Sequence, residues 1–371
     1  MATKLHIGLV ALALAMCMGQ AAPGAPGAGA AAGIKRVEES TFGTMADGTV
    51  VKLYTFANAQ GVQARVTTLG AVIVGIKVPD KAGNATNVVH CAESWEQAQR
   101  FNMQAQTIGP VVNRIAGAKF TLEGKEYTTQ PNNGGNTLHA GNANFGMKVW
   151  QGRALPPTDH AGAALLTYTS KDGDGGFPGA LTVKVTFSLN DDNEFRIDYE
   201  ATTDKTTLVN LTNHAYFNLN GATGWGNTTA SPIADEELWL DSDKYLVTGA
   251  GLIPTGAFAP VAGTALDFTK PTALGSRTAQ LAPSRNYDHA YVLNNGGKLA
   301  LVGRLRDPKS GREMEVRTDQ PGIQVYTGQP TAVALETQHH PDSIHHDNFP
   351  TTILKPGETF KSTTIYAFSA K

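Results

Sequence analysis

Leu181-Thr182-Val183-Lys184-Val185-Thr186-Phe187 alternates apolar and polar residues without a break. A period of two places one set of side chains on each face of an extended chain, and the β-branched valines and threonines favour a pleated backbone. The pattern repeats outward in both directions. It recurs at residues 50–56 (Val-Val-Lys-Leu-Tyr-Thr-Phe), 64–69, 195–199 and 364–368. Turn residues punctuate the runs: Gly124-Lys125, Asn132-Asn133-Gly134-Gly135, Asp172-Gly173-Asp174-Gly175-Gly176 and Asn294-Asn295-Gly296-Gly297. Helical signals are confined to a short helix over 94–101 and one helical turn over 271–275. Many half-buried strands with no break in composition predict an all-β chain, a single large antiparallel β-sandwich with few short helices over residues 35–371.

Composition narrows the function. The chain has 371 residues, 17% of them charged, and a formal net charge of −2. No global field draws nucleic acid or an anionic membrane, and Lys and Arg form no run. The N-terminus reads as an export signal. Lys4 and His6 precede an apolar stretch, Ile7 to Met18, and Gly19-Gln20-Ala21 offers small residues for cleavage. That stretch is short for a membrane span. Residues 1–21 are therefore expected to be a signal peptide, and the Ala/Gly/Pro-rich 22–34 a flexible tether. The mature protein is then exported, periplasmic or secreted, with no membrane insertion after cleavage. Cys17 follows Met16, where a lipid-attachment signal needs a small residue. With Cys17 removed, Cys91 is the one remaining cysteine and no internal disulfide forms.

Five segments are polar where a plain strand would be apolar. Asn113-Arg114-Ile115 places a guanidinium fork between apolar neighbours, suited to hydroxyl recognition. Asn136-Thr137-Leu138-His139 follows a glycine-rich turn. Asn210-Leu211-Thr212-Asn213-His214-Ala215-Tyr216-Phe217-Asn218 carries many hydrogen-bonding groups interleaved with aromatic rings. That mixture suits a sugar, whose hydroxyls need polar partners and whose C–H face needs an aromatic. Tyr287-Asp288-His289 offers a carboxylate to a hydroxyl pair. Gln324-Val325-Tyr326-Thr327-Gly328 precedes Glu336, which sits in Ala-Leu-Glu-Thr-Gln. One carboxylate and two imidazoles point to proton transfer at a small polar substrate.

These segments, with Asp174-Gly175-Gly176-Phe177-Pro178-Gly179 and Leu252-Ile253-Pro254-Thr255-Gly256, resemble the aldose 1-epimerase (galactose mutarotase) family over about residues 37–370. The resemblance implies a mutarotase-like β-supersandwich with a sugar cleft. It implies interconversion of the α and β anomers of an aldohexose such as glucose or galactose, with no cofactor. By position, Glu336 would be the general base at the C1 hydroxyl and His214 the general acid at the ring oxygen. Asn113, Arg114, His139, Asp288 and Gln324 would hold the sugar. Such chemistry needs His214 protonated while Glu336 is ionised, and a nearby carboxylate should help hold that proton at neutral pH. One departure is Gly109-Pro110, where the family often has Gly-Arg.

Other readings are a silent carbohydrate-binding sandwich, a hexose-6-phosphate 1-epimerase and a glycoside hydrolase. Pure binding does not need an acid facing a base. A phosphate site should show an extra basic cluster. A hydrolase usually needs two carboxylates flanking the bond, for which Asp288 is the one candidate partner. His339-His340 and His345-His346 invite a metal, but strand neighbours point to opposite faces and no ligand set is completed. The expected partner is a small aldohexose, with the chain a monomer or weak dimer.

Overall fold

The computed structural model describes Met1 and residues 33–92, 94–100 and 105–371. The expected signal peptide and most of the tether lie outside the described residues. Residues Ile34–Lys371 form one compact unit. Among the described residues, no helix is long and apolar enough to cross a membrane.

Among the described residues, three large antiparallel sheets and four two-stranded ones build this unit. The largest has nine strands, in the order Gln151–Ala154, Ala161–Ser170, Leu181–Asn190, Glu194–Thr203, Phe360–Ala370, Arg312–Thr318, Ala300–Arg306, Glu237–Leu240 and Thr272–Ala273. A six-stranded sheet runs Tyr216–Phe217, Ala332–Gln338, Gly322–Gln329, Asp288–Val292, Lys244–Thr248 and Pro254–Pro260. The third, of five strands, takes residues in chain order from Val37–Thr44 to Ala85–Asn87.

The alternation in Leu181–Asn190 becomes burial. Val183, Val185, Phe187 and Leu189 are fully buried, while the residues between them are not. Phe187 stacks on Phe195 of the next strand, and Phe195 meets Phe56 of the five-stranded sheet edge-on. The β-sandwich expectation is met. The helix expected over 94–101 is Trp95–Arg100. The helical turn expected over 271–275 is not formed. Thr272–Ala273 is instead an edge strand paired with Glu237 and Leu238, because a ladder of backbone bonds outweighs weak local helix preference.

Facing side chains fix which side of the six-stranded sheet is free for function. Phe217 packs on Tyr366 of the large sheet, and the Thr337 and Thr364 hydroxyls hydrogen-bond at 2.6 Å. Val333, Leu335 and Thr337 therefore face the core between the sheets. By strand alternation, Ala334 and Glu336 face the other way. The register extends that outer face: Tyr216 is opposite Ala334, Gln324 opposite Glu336, and Asp288 opposite Tyr326.

Candidate active site

Glu336 sits on the outer face of Ala332–Gln338, yet is only 2% exposed. Its neighbours arrive on loops. His214 follows Thr212–Asn213, a short strand paired with Thr107–Ile108. The His214 N–H donates to the Gln106 carbonyl, and the His214 carbonyl accepts from the Ala105 N–H, so the backbone is held on both sides. The imidazole stacks on Tyr216, with ring centres 4.8 Å apart. His214 Nε2 lies 3.4 Å from Glu336 Oε1.

Arg114–Ile115 pairs with Thr137–Leu138 and brings Asn113 beside His139. Both take left-handed backbone angles, φ 61° and 51°. Asparagine and histidine are both among the non-glycine residues that enter this region most readily. The two exchange backbone support: the His139 N–H donates to the Asn113 carbonyl, and the Asn113 N–H donates to His139 Nδ1 at 3.2 Å. With Nδ1 accepting, the neutral ring carries its proton on Nε2. Burial, with His214 and Arg114 nearby, holds His139 far below the usual histidine range, so it is a neutral hydrogen-bond donor.

The remaining residues complete a closed chain of neighbours. Gln324 Nε2 donates to Asp288 Oδ1 at 2.6 Å. Asp288 Oδ2 lies 3.9 Å from Arg114 Nη2, and Arg114 Nη1 donates to Asn113 Oδ1 at 3.3 Å. Glu336, His214, His139, Asn113, Arg114, Asp288 and Gln324 thus follow one another in a loop. The structure brings together all seven residues singled out in the sequence. Sequence reasoning missed the supports. Asn133 accepts from Arg114 Nε, and Asp342 accepts from the Ala116 N–H while its own N–H donates to the Arg114 carbonyl. Nothing local in the sequence around Pro341-Asp342 ties it to Arg114.

Protonation differs from the expectation. Burial pushes the Glu336 carboxyl up to about 8, with the Asp288 charge adding to it and Arg114 opposing. Burial pulls the His214 imidazole down to about 4. At neutral pH the resting couple therefore holds one proton, and it sits on Glu336 rather than on His214. Attraction between the charged forms at this separation is about 5 kcal/mol at an effective dielectric near 20. Desolvating two buried ions costs several kcal/mol each, so burial outweighs the attraction by a margin small enough to cross. Glu336 Oε2 and His214 Nδ1 are also buried without a hydrogen-bond partner among the described residues. Each such atom costs roughly 1–3 kcal/mol, a feature that persists where function requires it.

One donor atom each from His139, His214 and Glu336 lies within 4.8 Å of the others, and this is the set that could hold a metal among the described residues. His339 and His340 diverge: His339 Nδ1 meets Gln320, and His340 packs on Phe349.

The profile of the aldose 1-epimerase family matches residues 52–367. The galactose mutarotase of Sus scrofa is 38% identical over 355 residues, covering 90% of this chain and 98% of that protein. The chain belongs to the aldose 1-epimerase family. That family consists of carbohydrate isomerases, and its breadth is visible in a second relative. The aldose 1-epimerase of Escherichia coli K12 is 32% identical over 349 residues, covering 88% of this chain and 97% of that one. Among solved structures, an aldose epimerase homologue from C. elegans superposes with a TM-score of 0.75 at 28% identity, covering 85% of this chain and 98% of that one. A galactose 1-epimerase from Lactobacillus acidophilus has the same fold, with a TM-score of 0.77 at 23% identity and coverage of 90% and 98%.

Proposed function

We propose that this aldose 1-epimerase interconverts the α and β anomers of free aldohexoses such as glucose and galactose, with Glu336 and His214 moving the protons. The observation that carries this is the buried Glu336–His214 couple, 3.4 Å apart, inside a closed loop of hydroxyl-binding side chains. In the charged form of the couple, Glu336 takes the proton from the C1 hydroxyl while His214 delivers one to the ring oxygen. The electron pair left on O1 forms the aldehyde C=O, the C1–O5 bond breaks with its pair going to O5, which carries the delivered proton, and the couple is left neutral. Rotation of the aldehyde and reversal of both transfers close the other anomer.

The proton count is unchanged throughout, so burial has a use. It favours the neutral couple, which is the state paired with the open-chain sugar. Ring opening therefore relieves two desolvated charges as it proceeds, which offsets part of the cost of breaking the ring. His139 donates from Nε2 near the reacting oxygens. Asp288, Gln324, Arg114 and Asn113 bind the remaining hydroxyls, and Tyr216 and Tyr326 supply apolar walls. No step in this scheme calls on a cofactor.

We further propose that residues 1–21 direct export to the periplasm or outside the cell and that the mature chain acts as a monomer or weak dimer. Mass spectrometry of the mature N-terminus tests the first, and sedimentation the second. For the activity, the optical rotation of freshly dissolved α-D-glucose and α-D-galactose should decay faster with enzyme. Glu336→Gln should cut the acceleration by about 10²–10⁴-fold, and an equal rate with the variant would refute the assignment.

A further inference from the structure

Glu336 has polar neighbours on its own face that the scheme above leaves idle. Beyond Tyr216–Phe217, the register with Ala332–Gln338 carries on: Tyr216 lies opposite Ala334, His214 Nε2 lies 3.4 Å from Glu336, and the Asn210 side chain bonds both backbone groups of His339. Thr212 therefore falls beside Gln338. Thr337 turns its hydroxyl into the core, so alternation puts Gln338 on the outer face with Glu336.

Gln338 and Thr212 are both shut away from water, each 1% exposed. Among the described residues, neither atom of the Gln338 amide has a hydrogen-bond partner, and neither does Thr212 Oγ1. A buried amide left wholly unpaired is rare and costly, and it persists where function uses it. The surrounding polar groups are committed elsewhere. Asn210 serves His339, Gln320 Oε1 meets His339 Nδ1, Asn213 Nδ2 donates to the Ala105 carbonyl, and Gln324 Nε2 donates to Asp288. His340, next on this face, packs against Phe258 and Phe349. The unpaired atoms complement one another in order. The Thr212 hydroxyl donates, Gln338 Oε1 accepts, Gln338 Nε2 donates and Glu336 Oε2 accepts.

We infer, given the base role proposed for Glu336, that Gln338 is its positioning residue: when Glu336 ionises, the Gln338 amide turns an N–H toward Oε2, directly or through one bridging water, while the Thr212 hydroxyl holds the amide oxygen. A hydrogen bond to the charged form favours that form, and a bridging water transmits it nearly as well as direct contact. The charged couple is the state that opens the ring, so Gln338 raises its population without touching the sugar. The other groups facing Glu336 act through charge. Arg114 favours ionisation, as does His214 once protonated, and Asp288 opposes it. Tyr216, Tyr326 and Tyr366 are held above the usual phenol range and His139 far below the usual histidine range, so all four are neutral.

Gln338→Met keeps length and burial and removes the amide. The pH profile of its glucose anomer exchange, beside those of the wild type and Glu336→Gln, tests the role. The alkaline limb, where the couple loses its last proton, should move up by about one pH unit, because the Glu336 carboxylate loses a donor. The acid limb belongs to His214 and should stay. One unit leaves about tenfold less of the charged couple, so kcat at neutral pH should fall about tenfold with KM within about twofold. The melting temperature should hold or rise, since two unpaired buried polar atoms are gone. Thr212→Val should move the same limb in the same direction by less, and it carries the test if Gln338→Met does not fold. Unmoved limbs and unchanged kcat in both variants, with Glu336→Gln still impaired, would overturn the positioning role alone. So would a lower melting temperature and lower kcat with both limbs unmoved, the mark of a purely structural amide. A wild type that does not accelerate exchange, or a Glu336→Gln variant as fast as the wild type, would remove the base assignment and the positioning role together.

Discussion

Leu181–Asn190 and Ala332–Gln338 are both interior strands of antiparallel sheets, but they spend their residues differently. The first alternates, with Val183, Val185, Phe187 and Leu189 inward and Thr, Lys and Ser between them. The second is buried at all seven positions and still carries Glu336, Thr337 and Gln338. A strand that buries polar groups on its outer face needs something to cover that face. Here the cover is the loop bearing His214 and the loops bearing Asn113, Arg114 and His139. The contrast separates a strand whose job is packing from one whose job is to hold a carboxyl out of water.

If the contrast is right, damage to the two strands should have opposite signatures. Glu336→Gln keeps shape and burial but removes the proposed proton acceptor. It should lower kcat by about 10²–10⁴-fold, the range for a positioned acid or base, with thermal stability unchanged or raised. Polarimetry alongside a melting curve checks both. Phe187→Ala should do the reverse, costing about 3–5 kcal/mol in urea unfolding while the folded fraction keeps its kcat.

Arg114→Lys sharpens the comparison from the loop side. Loss of the planar fork that reaches Asn113, Asn133 and Asp288 should raise KM by about tenfold and change kcat less, as read from initial rates.

Glu236 gives the smallest effect, and it tests burial without catalysis. This carboxyl is buried among backbone donors from Leu219 and Asn220, and burial pushes it up to about 8. A raised carboxyl contributes stability in full below its unfolded value of about 4.3, and that contribution is lost as pH rises through about 8. Glu236→Gln keeps an oxygen for those donors. Its stability should therefore fall less than the wild type's between pH 5 and pH 9, by on the order of 1–3 kcal/mol in chemical denaturation. A parallel fall in both would show that Glu236 is not held neutral.

Much of this was legible in the sequence, for identifiable reasons. Strands at 181–187, 195–199 and 364–368 announce themselves because one face meets water and one does not. Thr272–Ala273 was misread as helical because its pairing with Glu237–Leu238 is non-local. His214 and Glu336 stood out as polar groups in apolar strands. Their protonation did not, because it depends on how completely other segments cover them. Asp342 reaches Ala116 across 226 positions of sequence, and no local pattern reports such a contact.

The central claim is that Glu336 and His214 share one proton across the neutral range. The pH profile of kcat/KM for glucose anomer exchange measures it. A plateau is expected between limbs near about 4, where both groups become protonated and no base remains, and near about 8, where both are deprotonated and no acid remains. The alkaline limb should be missing from the residual activity of Glu336→Gln. A profile with a single limb near the ordinary histidine value, or one flat from pH 4 to 9, would contradict it.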